Sequence, residues 1–349
     1  MTHIVAFFKK PFWRKNLNYL IVALIALAFG VLSATGSSKA STQYMLEKIA
    51  IAAILAVSLS MVVGFLGELS LGHAGFMCVG AYIGGKLSVL LVQALNVSDS
   101  NVLVLVISLL VGGLVAAVFG VIIGLPALRL RGDYLAIVTL AFGEIVRSIF
   151  MNVPAPLFGG TLGLETPRFD KKYLFIVALV VLLACLAVMQ NLIRSKHGRA
   201  IISIKDNEIA ARAMGVDITK YKLFVFTISS FFAGIAGVLY SYSNYTVQSA
   251  NFSYNYSIEI LVMVVLGGMG SINGSMLAAA LITFLNVKLQ TTLKGDMAVL
   301  KNLIYAIILI LIVIYSNAPT FRERYNLNTL AAKLFKKKGK AACEEVDEQ

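Results

Sequence analysis

Apolar runs long enough to cross a lipid bilayer recur along this chain, each closed by a short polar stretch. The pattern predicts spans at 17–35, 49–66, 73–95, 102–124, 134–150, 173–193, 223–243, 257–268, 275–292 and 299–316. A helix rises about 1.5 Å per residue, so about 20 apolar residues cover a hydrocarbon layer about 30 Å thick. Helices are the expected form because that layer offers the backbone no water, and a helix pairs its own amides. The expected fold class is an all-α polytopic membrane protein of about ten transmembrane helices. It has three parts: an N-terminal segment 1–16, a membrane domain 17–316 with a long polar loop at 194–222, and a tail 317–349. The first run, from Leu17 to about Leu32, comes after Lys9, Lys10, Arg14 and Lys15. That order resembles a signal peptide, but the run exceeds the usual core of about 7–15 residues, so a retained helix is expected.

Composition removes a large soluble domain from consideration. The chain is 59% apolar and 13% charged, against about 45–50% and about 25% for a soluble globular domain. A net charge of +13 would point to nucleic acid in a soluble protein. Here the cations cluster at the ends of apolar runs, so they read as topology signals and no nucleic acid is expected. Of the 30 Lys and Arg, twenty fall in the N-terminus, 125–133, 194–222 and the tail, and six in the alternate loops. The positive-inside rule then places both termini and the 194–222 loop in the cytoplasm, which requires an even number of spans. Tyr240, Tyr242, Tyr245, Phe252, Tyr254 and Tyr256 would form an outer interfacial cluster, and Trp13 would sit at the inner interface. Cys78, Cys185 and Cys343 match no metal spacing.

No soluble-enzyme motif is present: neither His-Glu-x-x-His, Cys-x-x-Cys nor Gly-x-Ser-x-Gly occurs. Gly80–Lys86 copies most of a phosphate-binding loop, but Leu87 follows the lysine and the run lies inside a span. Its glycines read instead as points of close helix approach. Any ATP would therefore be bound by another subunit. The loop at 194–222 carries helix signals of its own: Asp206 as N-cap, Glu208 at the positive end of the dipole, Arg212 at the negative end and Gly215 as a left-handed stop. Ile209, Ala210, Ala213 and Met214 form one small apolar face. So short a helix is marginal alone in water and needs a surface to pack on, either its own membrane domain or another protein.

Ionisable groups within spans are costly in hydrocarbon and draw attention to function. Glu144 and Arg147 stand at i, i+3 and share a helix face. They form either a structural ion pair or a site for the ammonium and carboxylate of an amino acid. His73 follows Gly72 where the chain enters the third span; its readings are a packing hydrogen bond or a place on the pathway. Gly-rich interruptions at 64–75 and 267–274 occupy corresponding positions, each between a span entering the cytoplasm and one leaving it. They are helix breaks lining a translocation path or simple tight turns.

Five segments, in order, carry a resemblance covering roughly residues 45–290. They are Gly67–Phe76 with Gly80-Ala-Tyr82, then Leu128–Arg147, Gly159–Leu164, Gly198–Tyr221 and Gly267–Gly274. With the run Glu208–Gly215, they make the chain similar to the branched-chain amino acid permease family of ABC importers, and within it to the subunit called the M component. The resemblance implies an ABC importer permease-type fold in the bacterial cytoplasmic (inner) membrane. It also implies a heterodimer with a homologous permease, two cytoplasmic ATP-binding subunits that carry ATP and Mg, and an extracytoplasmic solute-binding protein. The cargo it implies is leucine, isoleucine or valine; related permeases serve urea and short amides. Residues 203–215 would be the coupling helix, with Asp206, Glu208, Ala211 and Gly215 at the ATPase contact. The chain itself would carry no cofactor and no catalytic residue. Gly72, His73, Glu144 and Arg147 remain the candidates for the pathway. Two rivals are an ion-coupled secondary transporter, which would need acidic relays in the spans, and a membrane enzyme. For the latter Glu68, Asp133, Asp206, Glu208 and Asp217 form no ligand pattern.

Overall fold

A computed structural model describes residues 40–130 and 132–292, together with Ala306, Ile307 and Ile310. The predicted first span lies outside the described residues, as does the last apart from those three helical positions. The chain divides into two units, Met1–Val287 and Lys288–Gln349, and the helical bundle belongs to the first.

The described part is helical apart from one two-residue β-bridge. Its α-helices of six residues or more are α1 (Ala40–Ser60), α2 (His73–Leu95), α3 (Val102–Ala127), α4 (Asp133–Asn152), α5 (Lys171–Arg194), α6 (Lys196–Asp206), α7 (Glu208–Ala213), α8 (Ile218–Asn244), α9 (Tyr254–Gly267) and α10 (Ile272–Thr292). Strands β1 (Leu164–Glu165) and β2 (Thr246–Val247) pair antiparallel, Leu164 opposite Val247. Seven of these helices are long and apolar enough to span a bilayer. Most begin or end a few residues outside the predicted bounds. Helix α1 begins earlier than the expected residue 49, and its last turn, Met61–Leu66, continues as a π-helix up to Gly67 in the left-handed conformation (φ 81°).

Helix α8 is the centre, packed against α1, α2 and α3. The contact with α2 and α3 is a seam of glycines. A Cβ on Gly80 would run into the backbone of Gly234, and one on Gly84 or Gly112 into Val238. Small residues let the backbones approach, which is how helices associate where lipid is as apolar as they are. The phosphate-loop look-alike at 80–86 is thus helix-packing surface. Tyr242 and Phe252, expected at an interface, are instead buried, each 1% exposed.

Helix α9, expected at 257–268, is shorter than the seven long apolar helices. Its 14 residues span only about 21 Å, short of the hydrocarbon thickness. Helices α2 and α4 run in step: Gly75 meets Gly143, and two turns further along Tyr82 stacks on Phe150 with ring centroids 4.4 Å apart. Tyr254, the first residue of α9, donates its N–H to Glu144 at 2.9 Å, one residue beyond Gly143. The helix therefore begins level with the middle of α4, on its half-exposed face. The stretch leading to it, β2 and a 3₁₀ turn at Ser249–Phe252, is held by its neighbours: Tyr82 Oη donates to Val247 O at 3.1 Å and Thr166 N to Tyr245 O at 2.9 Å.

Candidate functional site

The polar loop forms two helices where one was expected. Ser195 caps α6 by accepting from His197 and Gly198, and α6 lays Gly198, Ile201 and Ile204 on the bundle. Asn207 is extended (φ −159°, ψ 103°) and breaks the run; its side chain accepts from Ala210 N at 3.0 Å and caps α7. Asp206, predicted as the cap, is the last residue of α6. The stop at Gly215 follows the sequence reading: φ is 83°, Gly215 N donates to Arg212 O and Val216 N to Ala211 O. These two bonds make a Schellman motif, closing carbonyls that the helix end leaves open. Ile209 (82% exposed) and Met214 (84%) point outward, while Ala211 (4%) is turned inward. Ala211 therefore offers no outer contact surface, because α7 rests on the bundle through that side.

Beneath the loop, Lys222 of α8 is 4% exposed and forms ion pairs with Glu68, in the break between α1 and α2, and with Glu208 of α7 at 3.4 Å. Lys205, in the last turn of α6, donates to Gly64 O at 2.7 Å. Gly64 is in the final turn of α1, where carbonyls have no following amide, so a cation is the natural partner there. The Lys205 stem lies over Gly67. Gly64 also faces Gly270: a Cβ on Gly64 would lie 2.6 Å from Gly270 N. The two Gly-rich interruptions thus meet backbone to backbone. A cavity of about 650 Å³ opens beside them, walled by Glu68, Asp133, Lys205, Asp206, Glu208 and Lys222 among others.

Further into the bundle a second polar layer gathers the pathway candidates. Gly72 lies on Thr139, whose Oγ1 accepts from Leu71 N at 3.0 Å. His73, 2% exposed, is 2.8 Å from Ser58 Oγ through Nε2 and acts as a packing hydrogen-bond residue. Ala74 N, at the start of α2, donates to Ser257 Oγ of α9 at 3.2 Å. Glu144 pairs with Arg147 at 2.8 Å while accepting from Tyr254 N, so the ion pair also anchors the start of α9. Both side chains keep about 30% exposure (Arg147 30%, Glu144 29%) on a face shared with Ile145, Ser148 and Ile149. Among the described residues, no His, Cys, Asp or Glu cluster could hold a metal ion. Lys205, Lys222, Glu68 and Asn207 were not singled out as a group by the sequence. Glu68 and Lys222 stand at span edges and Lys205 and Asn207 within the polar loop, with no spacing that links them.

A family model for the permease component of branched-chain amino acid transport systems matches residues 41–313. The chain belongs to this family. It is a transport subunit of the permease type, multi-pass in the inner membrane, and not an enzyme. The family's high-affinity branched-chain amino acid transport permease LivM of Salmonella typhimurium is 36% identical over 300 residues, 77% of this chain and 67% of the relative. A probable LivM of Methanocaldococcus jannaschii is 27% identical over 317 residues, 78% and 90% of the two chains. The ribose import permease RbsC of Haemophilus influenzae is 27% identical over 267 residues, 69% and 75%. No solved structure matches the permease.

Proposed function

We propose that this chain is one half of the membrane pathway of an ATP-driven importer for leucine, isoleucine and valine. Its ten spans, the short α9 among them, place both termini and the α6–α7 loop in the cytoplasm. A homologous permease forms the other half, two ATP-binding subunits dock on the loop, and a solute-binding protein delivers cargo to the β1–β2 end. The cargo follows the named relatives; the cytoplasmic assignment follows the Lys and Arg excess at the loop end. One observation carries the docking assignment. Helix α7 is capped at both ends and held from beneath, yet presents Ile209 and Met214 almost fully exposed. A rigid apolar knob at the water-facing end is suited to a groove on another protein. Asp206, Glu208 and Gly215 border it and complete the coupling surface.

The transport path follows the exposed face of α4. Helix α3 shows lipid an unbroken apolar stripe that includes Leu103, Leu110, Leu114, Val118 and Ile122. The α4 face instead holds Glu144 and Arg147 at membrane depth, where charges belong against a water-filled cavity or a protein partner. Gly72 and His73 support this face from behind. An ion-coupled mechanism would call for acidic relays within the spans, whereas Glu144 is committed to Arg147 and to Tyr254 N.

The test is co-purification of the ATPases with wild type and with an Ile209→Asp/Met214→Asp variant, alongside leucine uptake. The variant is expected to insert normally, lose the ATPases in mild detergent and lose uptake. Retention of both ATPases and uptake would remove the loop as docking site.

A further inference from the structure

We propose that Lys205 and the Glu208–Lys222–Glu68 ion relay are the positioning elements that carry movement of α7 into the broken ends of α1, α2 and α10. The inference deepens the docking reading above and rests on it.

Three observations support it. First, Lys222 joins the opening residue of α7 to the break at Glu68, and it is buried, so neither carboxylate can move far without the other. Charges removed from water hold their partners strongly, and separating them is costly. Second, Lys205 lies at the end of α6, one residue from Asp206 and two from the hinge-like Asn207, and reaches the last turn of α1. Its ammonium holds Gly64 O while its stem covers Gly67; a Cβ on Gly270 would lie 4.0 Å from its Nζ. One side chain therefore spans both interruptions. Third, that last turn of α1 is π-helical, a form common at functional sites. The Gly64–Gly270 contact means that a shift in one break is felt by the other without an intervening side chain.

The chemistry of the joints suits transmission. The seam of α8 with α2 and α3 is backbone against backbone, and moving it would require repacking. The breaks are held by hydrogen bonds and ion pairs whose partners can travel together. A displacement of α7 by the ATPases pulls on Glu208 and the α6 end, and the two lysines pass it to residues 64–68 and the adjoining Gly268–Gly270 turn.

The experiment uses the complete transporter reconstituted in proteoliposomes with loaded binding protein, comparing wild type, Lys205→Met, Lys205→Arg and Glu68→Gln. Uptake, ATP hydrolysis and ATPase retention are measured together. Lys205→Met is expected to keep its ATPases and hydrolyse ATP within about twofold of wild type, while uptake falls about tenfold. ATP consumed per solute therefore rises about tenfold. Glu68→Gln shifts this ratio in the same direction, and Lys205→Arg restores most of the uptake. Uptake and hydrolysis falling in proportion, or an unchanged ratio in both variants, would overturn the relay. Should Lys205→Met fail to insert, Lys205→Gln is read by the same ratio. Loss of the ATPases from these variants would also count against the relay, since the docking surface at Ile209 and Met214 is left untouched. Failure of the docking reading itself shows separately, as ATPases retained by the Ile209→Asp/Met214→Asp variant.

Discussion

Glycines bring backbones together at several points among the described residues of this permease, and two of these places are built for opposite ends. In the α2–α3–α8 seam, Gly80, Gly84, Gly112 and Gly234 lie inside unbroken helices and face backbone or the wedge of Val238. At the interruptions, Gly64 meets Gly270 where helices stop, and Gly67, Gly268 and Gly270 take left-handed φ angles of 81–90°. The first arrangement removes every adjustable part. The second leaves the backbone to be held by side chains from elsewhere, chiefly Lys205 and Thr139. The same residue type makes a fixed frame in one place and a movable joint in the other, and what decides is whether the surrounding helix is continuous.

Substitutions at the two places test this distinction. Gly80→Val should be the most damaging, because its new side chain meets the Gly234 backbone and nothing flexible can yield. A loss of about 3 kcal/mol, the upper end for overpacking, is expected; thermal unfolding in detergent would register it together with poor membrane yield. Gly64→Ala comes next. Its methyl would lie 2.6 Å from Gly270 N, but the facing turn can give way, so about 1–2 kcal/mol is expected in the same assay. Uptake should fall by more than that loss of folded protein explains. If Gly64→Ala unfolds the protein as readily as Gly80→Val, the joint is as fixed as the frame and the comparison fails. The smallest effect belongs to Asn207→Ala, which removes the α7 cap at a cost of about 1 kcal/mol. Hydrogen exchange should show faster opening of 208–213 with the seam unchanged.

The sequence was read well wherever local chemistry decides. Seven spans followed from apolar run length, the stop at Gly215 from the need for a left-handed residue, and the Glu144–Arg147 pair from helical spacing. The apolar face Ile209, Ala210, Ala213 and Met214 was also legible, and all four are exposed. The choice between Asp206 and Asn207 as cap was not, since both side chains can cap and only the packing of Ile201 and Ile204 settles how far α6 runs. The inward turn of Ala211 escaped for the same reason. The relay was illegible because Lys222 and Glu68 stand 154 residues apart, and Lys205 and Gly64 141. No periodicity links such pairs. The shortness of α9 was legible, since the run 257–268 is already the shortest of the predicted spans; that Glu144 of α4 accepts its first amide was not.

That shortness bears on how the protein is made. A 14-residue helix preceded by a two-residue strand and a single 3₁₀ turn cannot cross a bilayer alone, because the helix is too short and the strand's amides would face hydrocarbon. Tyr82, Thr166 and Glu144 must already be in place to receive residues 245–254. Assembly therefore has an order: α2 and α4 insert first, and the Tyr245–Gly267 segment settles into the slot they leave. A defect in that slot would surface during biosynthesis, as a chain caught by membrane quality control before it had ever moved a solute.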